Sequence, residues 1–173
     1  MTTATMPVEA ISFHSLETLS PEGQQFWLEW CKAQTFDELG ECWFGLKLQQ
    51  AQVGWLAVAV DRSIESSREV RCLRDRYRSD ANSILVRHLQ PGQVMPPRRD
   101  PLAFDGAVTL LALVANPEQP SLLGDRPGLD LNWGRNPYVL THGSVCRFDA
   151  SVAYGFPCVQ SEAWTVEIRR AFQ

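Results

Sequence analysis

The chain after Asp80 is a succession of short, strand-forming segments, and this limits the fold more than any other feature. Candidate strands fall near 83–89, 107–116, 120–124, 129–133, 138–148 and 163–170, rich in β-branched, leucine and aromatic side chains. Backbone-turning residues stand between them: Gln90-Pro91-Gly92, Asn116-Pro117, Gly124-Asp125-Arg126-Pro127-Gly128 and Asn136-Pro137. No helical period separates these strands, so a parallel sheet built through crossover helices is excluded. Many short strands at this spacing indicate an antiparallel sandwich or jelly roll.

The first half of the chain reads differently. Residues 1–19 form a loose lead-in with one short extended piece. A helix then opens at Ser20, a good cap, followed by Pro21 at the first helical position and Glu22 at the positive end of the dipole. Phe26, Trp27, Trp30 and Cys31 recur at helical spacing and face the core. Strand-like segments occupy 42–60, and helix returns from Ser63 to about Arg78. Five arginines crowd 68–78 beside Glu69, Asp75 and Asp80, a solvated helix face with its own ion pairs. With two helices laid on the outer face of one sheet, the fold class is α+β. The expected organisation is a loose segment over 1–19 and a single jelly-roll domain over 20–173. Within that domain, 20–80 supports a core at 81–173.

A chain of 173 residues with 45% hydrophobic content can bury a full core unaided. A net charge of −4 and an isoelectric point near 5.4 argue against a nucleic-acid partner, which calls for a basic face. The five cysteines contain no CxxC pair, so neither a zinc ribbon nor a thioredoxin-like site is written here. Free thiols in a reducing compartment, no leader-like N-terminus and no run long enough to span a bilayer give the expectation of a cytoplasmic protein without a membrane partner.

One stretch carries chemistry. Residues 82–100 run strand, Pro91-Gly92 turn, then Arg98-Arg99-Asp100. With Asn82, Leu85 and the apolar strand from Ala107, this register resembles that of AlkB-type 2-oxoglutarate/iron(II) dioxygenases. Gly143-Ser-Val-Cys resembles the opening of that family's penultimate strand, and 163–171 resembles its closing strand. The resemblance covers about residues 81–171. It implies a double-stranded β-helix, with Arg169 as the arginine that grips 2-oxoglutarate and Asp100 as the carboxylate ligand of iron.

Against that implied set the chain departs at several positions. Arg98 stands where the family has its first iron-binding histidine. The second aligns with Cys158 or, with the gap placed differently, with Tyr154. Arg87 and Leu89 occupy two strand positions that contact 2-oxoglutarate in the family, and Ala163 replaces the first of its terminal arginines. The chemistry needs two histidines and one carboxylate with open positions on iron. A guanidinium cannot deprotonate to become a ligand. At about 4 Å and an effective dielectric of about 20, two unit positive charges repel by roughly 4 kcal/mol, and a dication about doubles this. Arg98 and Asp100, two apart on a strand, share a face, so the expectation is that Arg98 or Arg169 pairs with Asp100 and fills the space iron would take. His88 has the wrong parity to replace a ligand, and His142 and His14 stand at ordinary positions outside the motif.

The expected function is a dioxygenase-like protein with a degenerate iron site, binding a small anionic molecule or a protein partner through Arg87, Arg98, Asp100 and Arg169. No cofactor is expected in that reading. The alternative is an enzyme on the same barrel. It would be an oxygenase with altered ligands (Asp100 and Cys158 holding iron(II), with 2-oxoglutarate) or a metal-independent acid–base enzyme using Tyr154 and Cys158.

Overall fold

The computed structural model describes residues 13–99, 104–118, 120–121 and 126–172. Among them the order is β1 (His14–Thr18), α1 (Pro21–Lys32), β2 (Glu41–Gln50), β3 (Trp55–Ala59), a 3₁₀ turn (Ile64–Ser66), α2 (Arg68–Tyr77), β4 (Ser83–Leu89) and β5 (Met95–Arg98). There follow β6 (Ala107–Val114), β7 (Leu129–Trp133), β8 (Asn136–Leu140), β9 (Ser144–Asp149), β10 (Tyr154–Phe156) and β11 (Ala163–Arg169). The protein is thus mostly antiparallel β-sheet with two helices. Seven strands form one sheet in the order β1-β9-β6-β11-β4-β2-β3, and four form a second in the order β5-β10-β7-β8.

Strand parity divides the core into two layers. On β11 the side chains of Trp164, Val166 and Ile168 point outward and meet Leu28 and Cys31 of α1 with Val70 and Leu73 of α2. Ala163 points the other way, into the cluster between the sheets that includes Leu110, Leu131, Phe148, Tyr154 and Phe156. Both faces of this strand are buried, which is why its sequence shows so little polar alternation. Each fully buried large aliphatic side chain here contributes roughly 1.5–3 kcal/mol.

The helix ends follow the local chemistry. Ser20 Oγ accepts from the Gly23 N–H at 3.1 Å, as its capping position requires. The second predicted helix is in two pieces, because Ser63 caps the 3₁₀ turn and Ser67 caps α2 separately. Its arginines pair beyond the helix as well as within it: Arg76 reaches Glu17 of β1 at 2.6 Å, and Arg78 meets both Asp80 and Asp105.

One strand expectation needs correction. The segment 138–148 is two strands in different sheets, broken at Gly143, whose φ of 78° turns the chain from β8 to β9. Of the strand expected at 120–124, only Pro120 and Ser121 lie within the described residues, and Pro120 makes an isolated bridge to Pro127. β5 and β10 were not foreseen. β5 contains Pro96 and Pro97, which the edge of a sheet tolerates, and β10 is only three residues long. The lead-in's extended piece is β1, which pairs with β9. No helix among the described residues is long and apolar enough to cross a membrane, and all five cysteines are free thiols.

Gly45 is where β2 changes partners. Residues 41–45 pair with β4, whereas 46–50 pair with β3. Its φ is 78°, and a Cβ added there would sit 2.3 Å from the Asn82 carbonyl oxygen. Gly45→Ala is therefore expected to lower the unfolding free energy by about 2–3 kcal/mol, read as a shift of the urea midpoint with unchanged slope.

Candidate functional site

The inward face of the seven-stranded sheet carries charge at one end. Arg87 of β4 is 4% exposed and Arg169 of β11 is 2% exposed, and between them lies Glu167, fully buried. Register explains the grouping. Arg87 stands opposite Thr165 of β11 on one side and Glu41 of β2 on the other. Glu167 and Arg169 follow Thr165 at successive same-face positions of β11.

The geometry is a chain of shared carboxylates. Arg87 Nη2 donates to Glu167 Oε2 at 3.1 Å, and its Nη1 donates to Glu41 Oε2 at 3.3 Å. Arg169 Nη2 lies 3.3 Å from Glu167 Oε2 and donates to the Tyr154 hydroxyl. The Tyr154 hydroxyl in turn donates to Glu167 Oε1 at 3.2 Å. Arg98, half exposed, reaches Glu41 Oε2 at 3.7 Å. Trp43 Nε1 donates to the other Glu41 oxygen at 3.1 Å. The Arg169 guanidinium also lies over the Phe104 ring, 5.1 Å from its centroid.

Burial alone would raise the Glu167 carboxyl's pKa. Arg169, Arg87 and Arg98 outweigh that effect and hold it at about 2. Burial, with the Glu167 carboxylate adding to it, pushes the inward-facing Cys146 thiol up to about 12, so this cysteine stays protonated.

The structure brings Arg87, Arg98, Tyr154 and Arg169 together. Tyr154 and Arg98 are paired residues of β10 and β5, so of the two residues aligned with the second histidine it is Tyr154 that stands in the cluster. Cys158 lies beyond β10, with Gln160 Nε2 2.9 Å from its sulfur, and no hydrogen bond or ion pair joins it to the cluster. Asp100, with the pairing expected for it, lies outside the described residues. Within them, Arg98 meets Glu41, and Arg169 meets Glu167 and Tyr154.

Leu89 and Ala163 face each other in the apolar layer between the sheets. His88 points the other way, as its parity requires, stacking on Trp164 with its Nε2 2.8 Å from Glu162. His142 Nδ1 accepts from the Val114 N–H at 2.9 Å, and burial lowers its pKa, favouring the neutral ring.

Glu41 and Glu167 are the members of the cluster that motif reading missed. Glu167 did leave a signal, being a lone acid two residues before Arg169 in an apolar strand. Glu41 left none until β2 was placed beside β4.

The described residues do not fit an iron(II) facial triad. Among them no three His, Cys, Asp or Glu side chains are grouped to hold a metal. Arg98 carries a guanidinium where the resemblance calls for an imidazole, and of the two positions aligned with the second histidine Tyr154 carries an arginine-bound phenol and Cys158 a thiol; the guanidinium cannot become a ligand.

No family model matches this sequence, and no curated protein matches it. Solved structures do. A 2OG-Fe(II) oxygenase family oxidoreductase from Burkholderia pseudomallei is 10% identical, with 91% of this chain and 84% of that one covered and a TM-score of 0.54. A Pseudomonas putida prolyl-4-hydroxylase is 11% identical over 93% and 88%, with a TM-score of 0.52. The viral collagen prolyl hydroxylase of Paramecium bursaria Chlorella virus-1 is 11% identical over 93% and 90%, with a TM-score of 0.50. At such identities the likeness is one of fold.

Because Glu167 has a depressed folded-state pKa, it contributes stability above its unfolded value, and that contribution is lost as pH falls through the folded one. Stability is therefore expected to fall between about pH 4.5 and pH 2. Glu167→Gln should flatten that segment of the pH profile and cost about 3–5 kcal/mol at neutral pH, because it leaves the arginines under-compensated. Denaturant titrations of both proteins across this range check both effects.

Proposed function

We propose that this chain is an AlkB-like member of the 2-oxoglutarate/iron(II) dioxygenase fold, a double-stranded β-helix whose metal site has become an arginine–carboxylate site. In this reading it is a cytoplasmic binding module for a small anionic molecule. The observation that carries it is the charge of the cluster. Arg87 and Arg169 are engaged with Glu41 and Glu167, whereas the half-exposed Arg98 comes no nearer than 3.7 Å to a described carboxylate and keeps donors open to an anion.

The strand order supports the fold assignment. Numbered from β4 as the first of eight, the strands lie in the orders 1-8-3-6 and 2-7-4-5, so successive strands alternate between two antiparallel sheets except at the hairpin of the fourth and fifth. Arg98 at the end of the second strand and Tyr154 on the seventh then face each other at the mouth of the barrel. Each residue has a separate task. Arg87 and Arg169 hold Glu167 ionised in the interior, while the half-exposed Arg98 presents donors to whatever enters. Five cysteines without a disulfide agree with a reducing compartment.

Purified protein is expected to contain iron far below one atom per chain and to release no succinate from 2-oxoglutarate. About 10 mM of a small dicarboxylate with a Kd near 1 mM should raise the melting temperature by roughly 3–5 °C. Arg98→Gln should abolish that rise. Stoichiometric iron together with succinate release would overturn the proposal.

A further inference from the structure

Next to the cluster lies a cavity of about 520 Å³, which is within the range of small-ligand sites. Its inner wall includes Glu41, Trp43, Arg98 and Arg169, and its outer wall is the β2–β3 hairpin, where Leu48 and Trp55 face it. Lys47 and Arg99 complete the cationic lining.

The lining has two chemical characters. Arg169 is held by Glu167, which leaves Lys47, Arg98 and Arg99 opposite the single carboxylate of Glu41, an excess of two positive charges among these described lining residues. Much of that charge is unspent. Glu41 is already shared between Arg87 and the Trp43 indole, and Arg98 meets it only at 3.7 Å, beyond hydrogen-bond range. No carboxylate among the described residues forms an ion pair with Lys47 or Arg99. The remaining lining sets two indoles, Trp43 and Trp55, and two leucines, Leu39 and Leu48, beside the amides of Gln49 and Gln50. Trp43 is buried and pinned through its Nε1, whereas Trp55 is 46% exposed on the lip of the cavity.

From this juxtaposition we infer that the cavity binds a small aromatic acid, with its planar ring against Trp43 and Trp55 and its carboxylate or phosphate on Arg98 and its neighbouring cations. An aliphatic anion satisfies the guanidinium and leaves the indole faces wet. A neutral arene covers the indoles and leaves the cations unmatched. A planar acid does both, since guanidinium groups grip oxyanions through paired N–H donors and indole prefers offset stacking with a second ring. The inference rests on the proposed anion-binding role and narrows its ligand class.

The test is titration of the full chain, followed by tryptophan fluorescence and calorimetry, with 2-naphthoate, 1-naphthyl phosphate, 2-naphthalenemethanol and succinate. The naphthyl acid that fits better should bind at least about 10-fold more tightly than succinate or the neutral alcohol. Trp55→Ala and Arg98→Gln should each weaken it about 5-fold or more. Both side chains are substantially exposed, so neither variant is expected to unfold the protein, and melting curves check this.

Succinate binding as tightly as the naphthyl acids, with Trp55→Ala silent, overturns the aromatic inference and leaves the anion-binding role intact. The alcohol binding as well as the acids overturns it by showing an apolar groove alone. Binding by neither the acids nor succinate overturns the anion-binding role and the inference together. Carboxylate against phosphate preference identifies which acid group the cations select, and either supports the inference.

Discussion

A single carboxylate buried among arginines sets the terms for this molecule. An ion the size of a glutamate side chain loses several kcal/mol of hydration when enclosed, and only close opposite charges with hydrogen bonds can return it. Glu167 accepts from Arg87 and Tyr154 and lies beside Arg169, so each of its oxygens is engaged. The three donors come from three different strands, two in one sheet and one in the other. The charge network therefore ties the sheets together at the open end, while apolar packing does so elsewhere. A one-residue slip of β11 would turn Glu167 and Arg169 into the layer of Trp164 and Val166, leaving charges against the helices. Buried charge here specifies register more than it adds stability.

Among the described residues that network is built on guanidinium groups and a phenol, not on imidazoles. Restoring an imidazole at position 98 alone would leave Tyr154 hydrogen-bonded to Arg169 and Glu167 at the opposing strand position. The described residues are arranged around guanidinium geometry, with planar donors reaching carboxylate oxygens from several directions. Three inward arginines are also mutually repulsive, so each depends on Glu41 or Glu167. Removing either acid would loosen more than one contact.

Much of the architecture was legible in the sequence because turns and apolar runs are local. Ser20-Pro21-Glu22 set the start of α1, and 83–89 and 163–169 emerged as the paired strands their composition implies. What escaped was nonlocal or short. β5 carries two prolines and survives only because it is an edge, a fact about topology rather than about the residues. β8 and β9 read as one strand because both are apolar, and Gly143 alone marks the place where the chain changes sheets. The site was half legible in the same way. Arginines at 87, 98 and 169 were visible through register with a familiar pattern. Glu41, 46 residues away from Arg87 in sequence, became part of the site only through β2–β4 pairing.

The position of each arginine in the cluster assigns it a different task. Arg87 is enclosed and has two carboxylate partners, so a ligand would have to displace a protein contact to reach those donors. Arg169 is equally enclosed and is engaged with Glu167, Tyr154 and the Phe104 ring. Arg98 is half exposed, its nearest described carboxylate lies at 3.7 Å, and it stands at the mouth where the two sheets part. Burial and binding are thus divided along one line of side chains. The inner pair stabilises a charge that never leaves, and the outer residue keeps donors available at little cost because water still reaches it. Of the three guanidinium groups, Arg98 is the one whose donors solvent reaches most.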